Sequence, residues 1–451
     1  MKKSWSRIFA LTLGIPLLLG ILAACGSGTT TSGGSTPTAS AGSTTIKIAT
    51  DLPTSGKDAT SGKPAEDGAH LAVDQANANH TIPGYTLVFD PKDDVGASGI
   101  HDPTVGEANV RSLISDALVA GIVGPFNSNV AKGEMPITNR APIAQISPAN
   151  TNPCLTKGPS DDAADCSGSN NLISTLRPTG TVNYFRIATT DDHQGPAAAD
   201  YLYKTLGYKS VYVIDDAETY GIGISNSFTR EWQADGGTIL GRSSEPSTTT
   251  SYVSLLTTIA THHPQAIYFG GLNSTGGDLI RQQMLQVPGL QTTPLAGGDG
   301  IVTSDFASAV PNGKGGPTYG TVATIDVAAV PTASAFIQQY NAAYGASNFG
   351  AYSAAAFDCA NILIQAIKTA LANGAKTPQN SSDTAGAVAF RTAVIKAIQN
   401  IQFSGVLGPQ SFDANGDTTN RVITIYKVGP NPPNVPVSTP GWNPVASVKE
   451  S

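Results

Sequence analysis

From residue 45 onward, short runs rich in Val, Ile and Tyr alternate with longer runs whose apolar residues recur every three or four positions. Strands are predicted at 45–49, 85–89, 118–123, 143–146, 211–214, 238–240, 266–269 and 422–428. Between the first two, Ala65, Ala69, Ala72, Val73 and Ala76 mark one face of a helix. Asp102 and Pro103 place an N-cap and a first-turn proline ahead of a helix running towards Ile114. Further helical patterns occupy 194–206, 224–234, 252–260, 279–286, 333–344, 353–371 and 390–400. A helix between two strands returns the chain to the same end of the sheet, so the next strand runs parallel. The pattern restarts near residue 194, which predicts two open α/β lobes. Ligands of such sheets sit beyond the carboxyl ends of the strands. The places to look are therefore the loops around Ser128, Thr151, Tyr220, Gly271 and Asp299.

The N-terminus sets the compartment. Lys2, Lys3 and Arg7 precede an uncharged, mostly apolar run at 8–24, broken by Pro16 and ending Leu22-Ala23-Ala24-Cys25-Gly26. A basic start, a short apolar core and small residues before a cut site make a secretory signal over 1–24. A retained membrane helix is the rival. The run is near the lower limit for spanning, about 17 residues, and it lacks a stop-transfer flank. The closing residues resemble the lipobox of bacterial lipoproteins, which implies a diacylglyceryl group on the Cys25 sulfur. Residues 26–44 are almost all Gly, Ser, Thr, Ala and Pro. They cannot bury a core, so 25–44 reads as a lipidated Cys and a flexible tether with a reach of about 25 Å.

Net charge is −7, and no Lys/Arg cluster follows the signal, so nucleic acid is not an expected partner. Cys154 and Cys166 flank a polar segment at 155–165. In an oxidising compartment they read as a disulfide worth about 3 kcal/mol in the chain-entropy model. The alternative, a metal site, lacks a second Cys pair and a nearby His. Cys359 lies in a helical apolar pattern and reads as a small core residue.

An ordered series of motifs spans most of 45–428: IVGPFNS (122–128), ISPANTNP (146–153), DDHQGPAAA (191–199), VYVIDDAETYG (211–221), AIYFGG (266–271), GGDG (297–300) and GVLGPQSFD (405–413). The series resembles the branched-chain amino acid (Leu/Ile/Val) binding proteins of ABC importers. The resemblance implies a two-lobed type I periplasmic binding protein fold with three interlobe crossovers and a mostly parallel sheet in each lobe. Lobe I is expected at 45–191 with 324–404, lobe II at 192–323 with 405–445, and a tail at 446–451. It also implies a cleft that captures a small amino acid, branched-chain or otherwise apolar, and a membrane permease as partner. A monomer without cofactor or metal, attached outside the cytoplasmic membrane, is expected.

By the same resemblance, the ligand contacts are Ser128, Ala149, Thr151, Tyr220, Leu272 and Asp299. A Ser hydroxyl beside free N–H groups at a helix start suits a carboxylate. Ala149 offers a carbonyl and Thr151 a hydroxyl, Asp299 is the acidic partner of an α-ammonium, and Tyr220 closes the cleft edge. Three departures stand out. Leu272 occupies a position where relatives carry an aromatic residue. The segment 55–62 has small or charged residues at the cleft mouth. Val95 and Asn127 stand where relatives have a disulfide.

Rival readings remain. The same scaffold would serve an amide, urea or an aromatic acid, or would present ligand to a sensor. A hydrolase built on Ser128, His193 and Asp192 lacks the Gly-x-Ser-x-Gly elbow. His262-His263 lacks an acidic third ligand. Asp413 to Asp417 is a fragment of a calcium loop with Thr424 at its twelfth position, so a hairpin turn is expected there.

Overall fold

The computed structural model describes residues 44–161, 164–310, 315–431 and 438–449. The signal, Cys25 and most of the tether lie outside the described residues. Five strands form the first sheet: β1 (Thr45–Leu52), β2 (Thr86–Asp93), β3 (Val119–Val123), β4 (Ala144–Ser147) and β5 (Tyr184–Arg186). Their order is β2-β1-β3-β4-β5 and every pairing is parallel. The second sheet holds β6 (Ser210–Asp215), β7 (Thr238–Ser244), β8 (Ala266–Gly270), β9 (Leu295–Gly297) and β10 (Thr318–Val322). A ribbon of β11 (Phe403–Gly405) and β12 (Gly408–Gln410) precedes β13 (Val422–Val428) and β14 (Trp442–Lys449), which complete that sheet. Its order is β14-β13-β10-β9-β8-β6-β7, parallel from β10 to β7, with β13 and β14 added antiparallel.

Burial follows from position in the sheet. Each residue of β3 and β8 is buried, because helices cover both faces of a central parallel strand. The edge strands β2 and β7 leave much of their length exposed. Helices Ala59–Ala78 and Ser353–Ala372 pack together on the first sheet, which also receives Thr384–Gln399, while Ser334–Tyr344 packs against Ala59–Ala78. Gly68 permits the close approach of the first pair, since a Cβ there would lie 2.1 Å from the Ser353 carbonyl oxygen. Helix Ser353–Ala372 is long and apolar enough to cross a membrane, but most of it is buried inside the protein. Cys359 is buried within it.

The fold is the type I arrangement that the motifs imply. Strands β5, β9 and β10, and the β11–β12 ribbon, escape the sequence pattern. The three-residue strands are too short for a period of their own and exist through their neighbours, while β10 lacks an apolar run because two threonines and Gly320 interrupt it. At the C-terminus the expected tail at 446–451 is corrected, because β14 pairs with β13 as far as Lys449. Trp442 is its buried anchor, and Pro444 is tolerated because β14 is an edge strand.

Three chain segments join the two sheets, following β5, following β10 and preceding β13. They lie side by side and are bonded to one another. Thr189 N–H donates to the Ala323 carbonyl at 2.8 Å. The Thr189 hydroxyl bonds both the carbonyl and the N–H of Val422 at 3.1 Å. The Thr424 hydroxyl donates to Thr324 O at 2.9 Å. Asp413 Oδ1 accepts from the N–H groups of Asn415 and Asp417, so 413–417 is a turn, as expected. Beside the crossovers, Arg186 Nε donates to Asp417 Oδ1 at 2.7 Å, with the Arg186 side chain fully buried. Its Nη1 donates to Asn152 O at 2.7 Å, and its Nη2 donates to the Thr156 hydroxyl.

Removing one member of a buried pair leaves the other charge uncompensated, at a cost of about 3–5 kcal/mol. Arg186→Met is therefore expected to lower the urea unfolding free energy by that order. An Arg186→Met/Asp417→Leu double variant should recover part of the loss. Equal destabilisation by the double variant would show that the pair is not what holds the crossovers.

Candidate functional site

Loops from the carboxyl ends of β1, β3, β4, β6, β8 and β9 converge on one cavity enclosing about 690 Å³, part of it open to solvent. All six residues singled out in the sequence, Ser128, Ala149, Thr151, Tyr220, Leu272 and Asp299, line it. Ser128 is the first residue of helix Ser128–Arg140, so its hydroxyl stands beside the unpaired N–H groups and positive dipole end of that helix. Thr151 is buried, and its N–H and hydroxyl belong to a loop held from several sides. The Ser147 hydroxyl donates to Pro125 O at 2.6 Å and accepts from Asn150 N–H at 2.9 Å. Asn150 Nδ2 donates to Phe126 O, and Tyr184 OH donates to Asn150 Oδ1, each at 2.6 Å. The loops after β3 and β4 are thus fastened to each other and to β5.

Across the cavity stands Asp299. Its Oδ1 accepts from Gln194 Nε2 at 2.8 Å and from Tyr220 OH at 2.9 Å. Its Oδ2 accepts from Tyr352 OH at 3.0 Å. Burial pushes the Asp299 carboxyl above its ordinary range, and these three donors pull it part of the way back. The Asp191 carboxyl is fully buried as well. Burial first, and then the charge of Asp299, push it well up. Two buried carboxyl groups beside one cavity make a region that a cation would stabilise. Gln194 and Tyr352 were not singled out in the sequence. Gln194 lies inside the DDHQGPAAA motif, and Tyr352 precedes an apolar helix, so neither carried a signal of its own.

A second feature was missed entirely. His101 follows β2, and its side chain is fully buried between two carboxylates. Nδ1 lies 2.9 Å from Asp58 Oδ2, and Nε2 lies 2.8 Å from Glu218 Oε2. The His101 N–H also donates to Asp58 Oδ2 at 2.7 Å. Burial works against the charged ring, but Asp58 and Glu218 outweigh it and raise its pKa to about 10. Asp58 and His101 belong to the body of the first sheet, and Glu218 caps helix Thr219–Ala234 on the second. The imidazolium therefore bridges the two bodies at the cavity wall, where Asp58 is a lining residue. Asn129 Nδ2 to Glu218 Oε2 at 3.2 Å and Asn152 Nδ2 to Thr219 O at 2.7 Å cross the same gap.

The groups imagined as a hydrolase set are not brought together. Ser128 lines the cavity, whereas Asp192 is engaged by Lys157 Nζ at 2.7 Å and neither it nor His193 lines the cavity. His262 and His263 end helix Val253–Thr261, away from the cavity. Asp200, Glu231 and Asp235 come close enough to hold a cation, but Lys204 already pairs with Asp200 and Asp235. Cys154 and Cys166 are joined in a disulfide, with Cα atoms 5.0 Å apart.

The sequence profile of a family described as periplasmic binding protein matches residues 45–431. The chain is 26% identical over 384 residues to the Leu/Ile/Val-binding protein BraC3 of Rhizobium johnstonii, covering 85% of this chain and 91% of that one. Its fold is similar to that of the branched-chain amino acid transporter substrate binding protein LivJ from Streptococcus pneumoniae, solved in complex with isoleucine. That match has a TM-score of 0.67 and 23% identity, over 90% of this chain and 100% of the other. An ABC transporter solute binding protein from R. palustris, in complex with 4-hydroxybenzoate, is similar with a TM-score of 0.68 and 18% identity, over 90% and 97% of the two chains.

The His101 bridge has a defined pH signature. A His with a raised folded pKa contributes stability that is complete below its unfolded value, about 6.5, and is lost as pH rises through the folded one. That upper limit is about 10 here. His101→Gln should therefore destabilise the protein at neutral pH by about 1.5–3 kcal/mol, the worth of a hydrogen bond to a charged group. The gap between variant and parent, followed by denaturant unfolding, should close as the pH is taken towards that limit. A gap that is constant with pH would rule out a charged bridge.

Proposed function

The chain belongs to the periplasmic binding protein family, and from that premise we propose that it captures an α-amino acid in the cavity between its two lobes. The loaded form delivers its solute to the permease of an ABC importer outside the cytoplasmic membrane. One observation carries this reading: a helix N-terminus and the buried Asp299 carboxyl line the same cavity, which suits one end to an anion and the other to a cation. Ser128 at a helix N-terminus and Thr151 in the loop after β4 suit a carboxylate, and the Ala149 carbonyl and Asp299 suit an ammonium. Tyr220 holds Asp299 in place and closes the wall beside it. The name of BraC3 and the isoleucine held by LivJ support an uncharged amino acid of modest size, branched-chain or otherwise apolar.

Lobe I comprises 45–191 with 324–404, and lobe II begins at 192–323 and resumes at 405. The three bonded crossovers serve as the hinge between them. Cys25 carries the lipid, and residues 26–44 tether a monomeric binding unit to the membrane. The 4-hydroxybenzoate bound by the R. palustris protein favours one second reading, an aromatic acid held by its carboxylate. That ligand has no ammonium for Asp299, which is why the amino acid is preferred.

A thermal-shift panel of leucine, isoleucine, valine, alanine, glutamine, short amides, urea and benzoate tests the proposal. A ligand at a hundredfold over its Kd should stabilise the protein by about 2.7 kcal/mol. Asp299→Asn should remove most of the shift given by an amino acid. Because burial raises the Asp299 carboxyl above its ordinary range, acidification from neutral pH protonates it early, so affinity should fall as pH falls. The asparagine variant should lose that dependence. Stabilisation by benzoate, with none by any amino acid, would replace the proposal with its rival.

A further inference from the structure

The start of helix Thr219–Ala234, on the second body, meets the first body through polar bonds that each stand next to the cavity wall. Glu218 Oε2 lies 2.8 Å from His101 Nε2 and accepts from Asn129 Nδ2 at 3.2 Å. The Thr219 carbonyl accepts from Asn152 Nδ2 at 2.7 Å. The first-body partners come from three separate elements: the segment after β2, helix Ser128–Arg140 and the loop after β4. Asn129 adjoins Ser128, Asn152 adjoins Thr151, and His101 is bonded to Asp58; Ser128, Thr151 and Asp58 line the cavity. On the second body, Glu218 and Thr219 lead directly into Tyr220, another lining residue. The bodies are thus joined beside the cavity by protein groups alone.

The His101 ring is not shared evenly. Asp58 Oδ2, on the same body, holds both the His101 backbone N–H at 2.7 Å and Nδ1 at 2.9 Å. Glu218 makes a single contact with the ring from the other body. When the bodies part, the ring stays with Asp58, and Glu218 is the group that leaves. Its side chain makes no capping bond to its own helix, and its bonds to His101 and Asn129 both cross the gap. With the bodies together, the His101 side chain is fully shut off from water. Without an acceptor at position 218, Nε2–H would be buried and unpaired there, whereas parted bodies let water pair it. The Glu218 contact therefore stabilises the closed arrangement and not the open one.

We propose that Glu218 is the releasable half of a latch, a positioning residue that holds the two bodies closed over the solute and sets how fast any solute leaves. The proposal rests on the reading of the cavity as a solute site, but not on which solute it takes, because Glu218, His101 and Asn129 do not line the cavity. A solute enclosed between two bodies leaves only after they part. Weakening the closed form therefore speeds the departure of every solute alike.

Stopped-flow release of leucine, valine and alanine from the whole protein tests this. Glu218→Ala should speed release of all three by a common factor of about tenfold or more, the worth of one hydrogen bond to a charged group, and keep their order of affinity. Asn129→Ala removes only the longer bond and should act in the same direction by less; it decides the matter if Glu218→Ala fails to fold. A purely structural role would lower the fraction of active protein and leave the release rate alone. Unchanged release rates, or a factor that differs from one solute to the next, would overturn the latch. Small-angle scattering supplies a reading without solute, in which Glu218→Ala should have a larger radius of gyration than the parent. If none of the three amino acids binds, the amino-acid reading falls and the radii decide alone: expansion supports the latch, and equal radii overturn it.

Discussion

The buried guanidinium of Arg186 ties the parts of this protein together. A charge with no access to water persists only where its hydrogen-bonding capacity is met in full geometry. Arg186 finds that geometry in three directions: Asp417 ahead of the last crossover, the Asn152 carbonyl beside Thr151, and the Thr156 hydroxyl. The Thr156 hydroxyl in turn donates to the second oxygen of Asp417 at 2.9 Å. A lysine has neither the planar fork nor the number of donors to do this. The result is mechanical. The loop that presents Thr151 to the cavity is fixed to the same group that binds Asp417 ahead of a crossover, so this wall of the cavity is tied to the crossovers.

The opposite wall is where the two bodies meet, and charged and polar side chains join them there. Asp299 takes one donor, Tyr352, from the helical body of the first sheet and another, Tyr220, from the second. His101 adds an imidazolium shared between carboxylates of both bodies. These contacts exist only when the bodies are together. A ligand shifts an equilibrium by the difference in its affinity for the two states. A cation beside Asp299 would add to that difference, because an opposite charge offsets the burial that raises this carboxyl group.

What the sequence discloses and what it conceals divide along physical lines. The βα alternation is local, so the parallel sheets are legible, as are the strand-end loops that carry Ser128, Thr151 and Asp299. Central strands such as β3 announce themselves by unbroken apolar runs. Contacts made by side chains distant in the chain leave no such trace. His101 and Glu218 are 117 positions apart, Gln194 and Asp299 are 105 apart, and Arg186 and Asp417 are 231 apart. Nothing in the neighbourhood of His101 marks it out, since Asp58 is 43 positions away and Glu218 stands on the other body. Strands β9 and β5, three residues each, are concealed for the opposite reason: they are too short to state a period.

The same division bears on specificity. The site proposed for an amino-acid headgroup combines a helix N-terminus and a loop carbonyl, which any chain with this topology reproduces, with the side chains of Ser128, Thr151 and Asp299. The remainder is made from side chains that the topology leaves free to vary. At position 272 this chain has leucine in place of the aromatic residue implied by the resemblance. A hydroxyl reaches Asp299 from Tyr352, on a different element of the fold. Asn127, where the resemblance implies half of a disulfide, is a lining residue of the cavity instead. Shared topology therefore constrains the ends of helices and strands around the cavity more tightly than it constrains the side chains that line it. The side chain of the ligand has to be deduced from the atoms that face it.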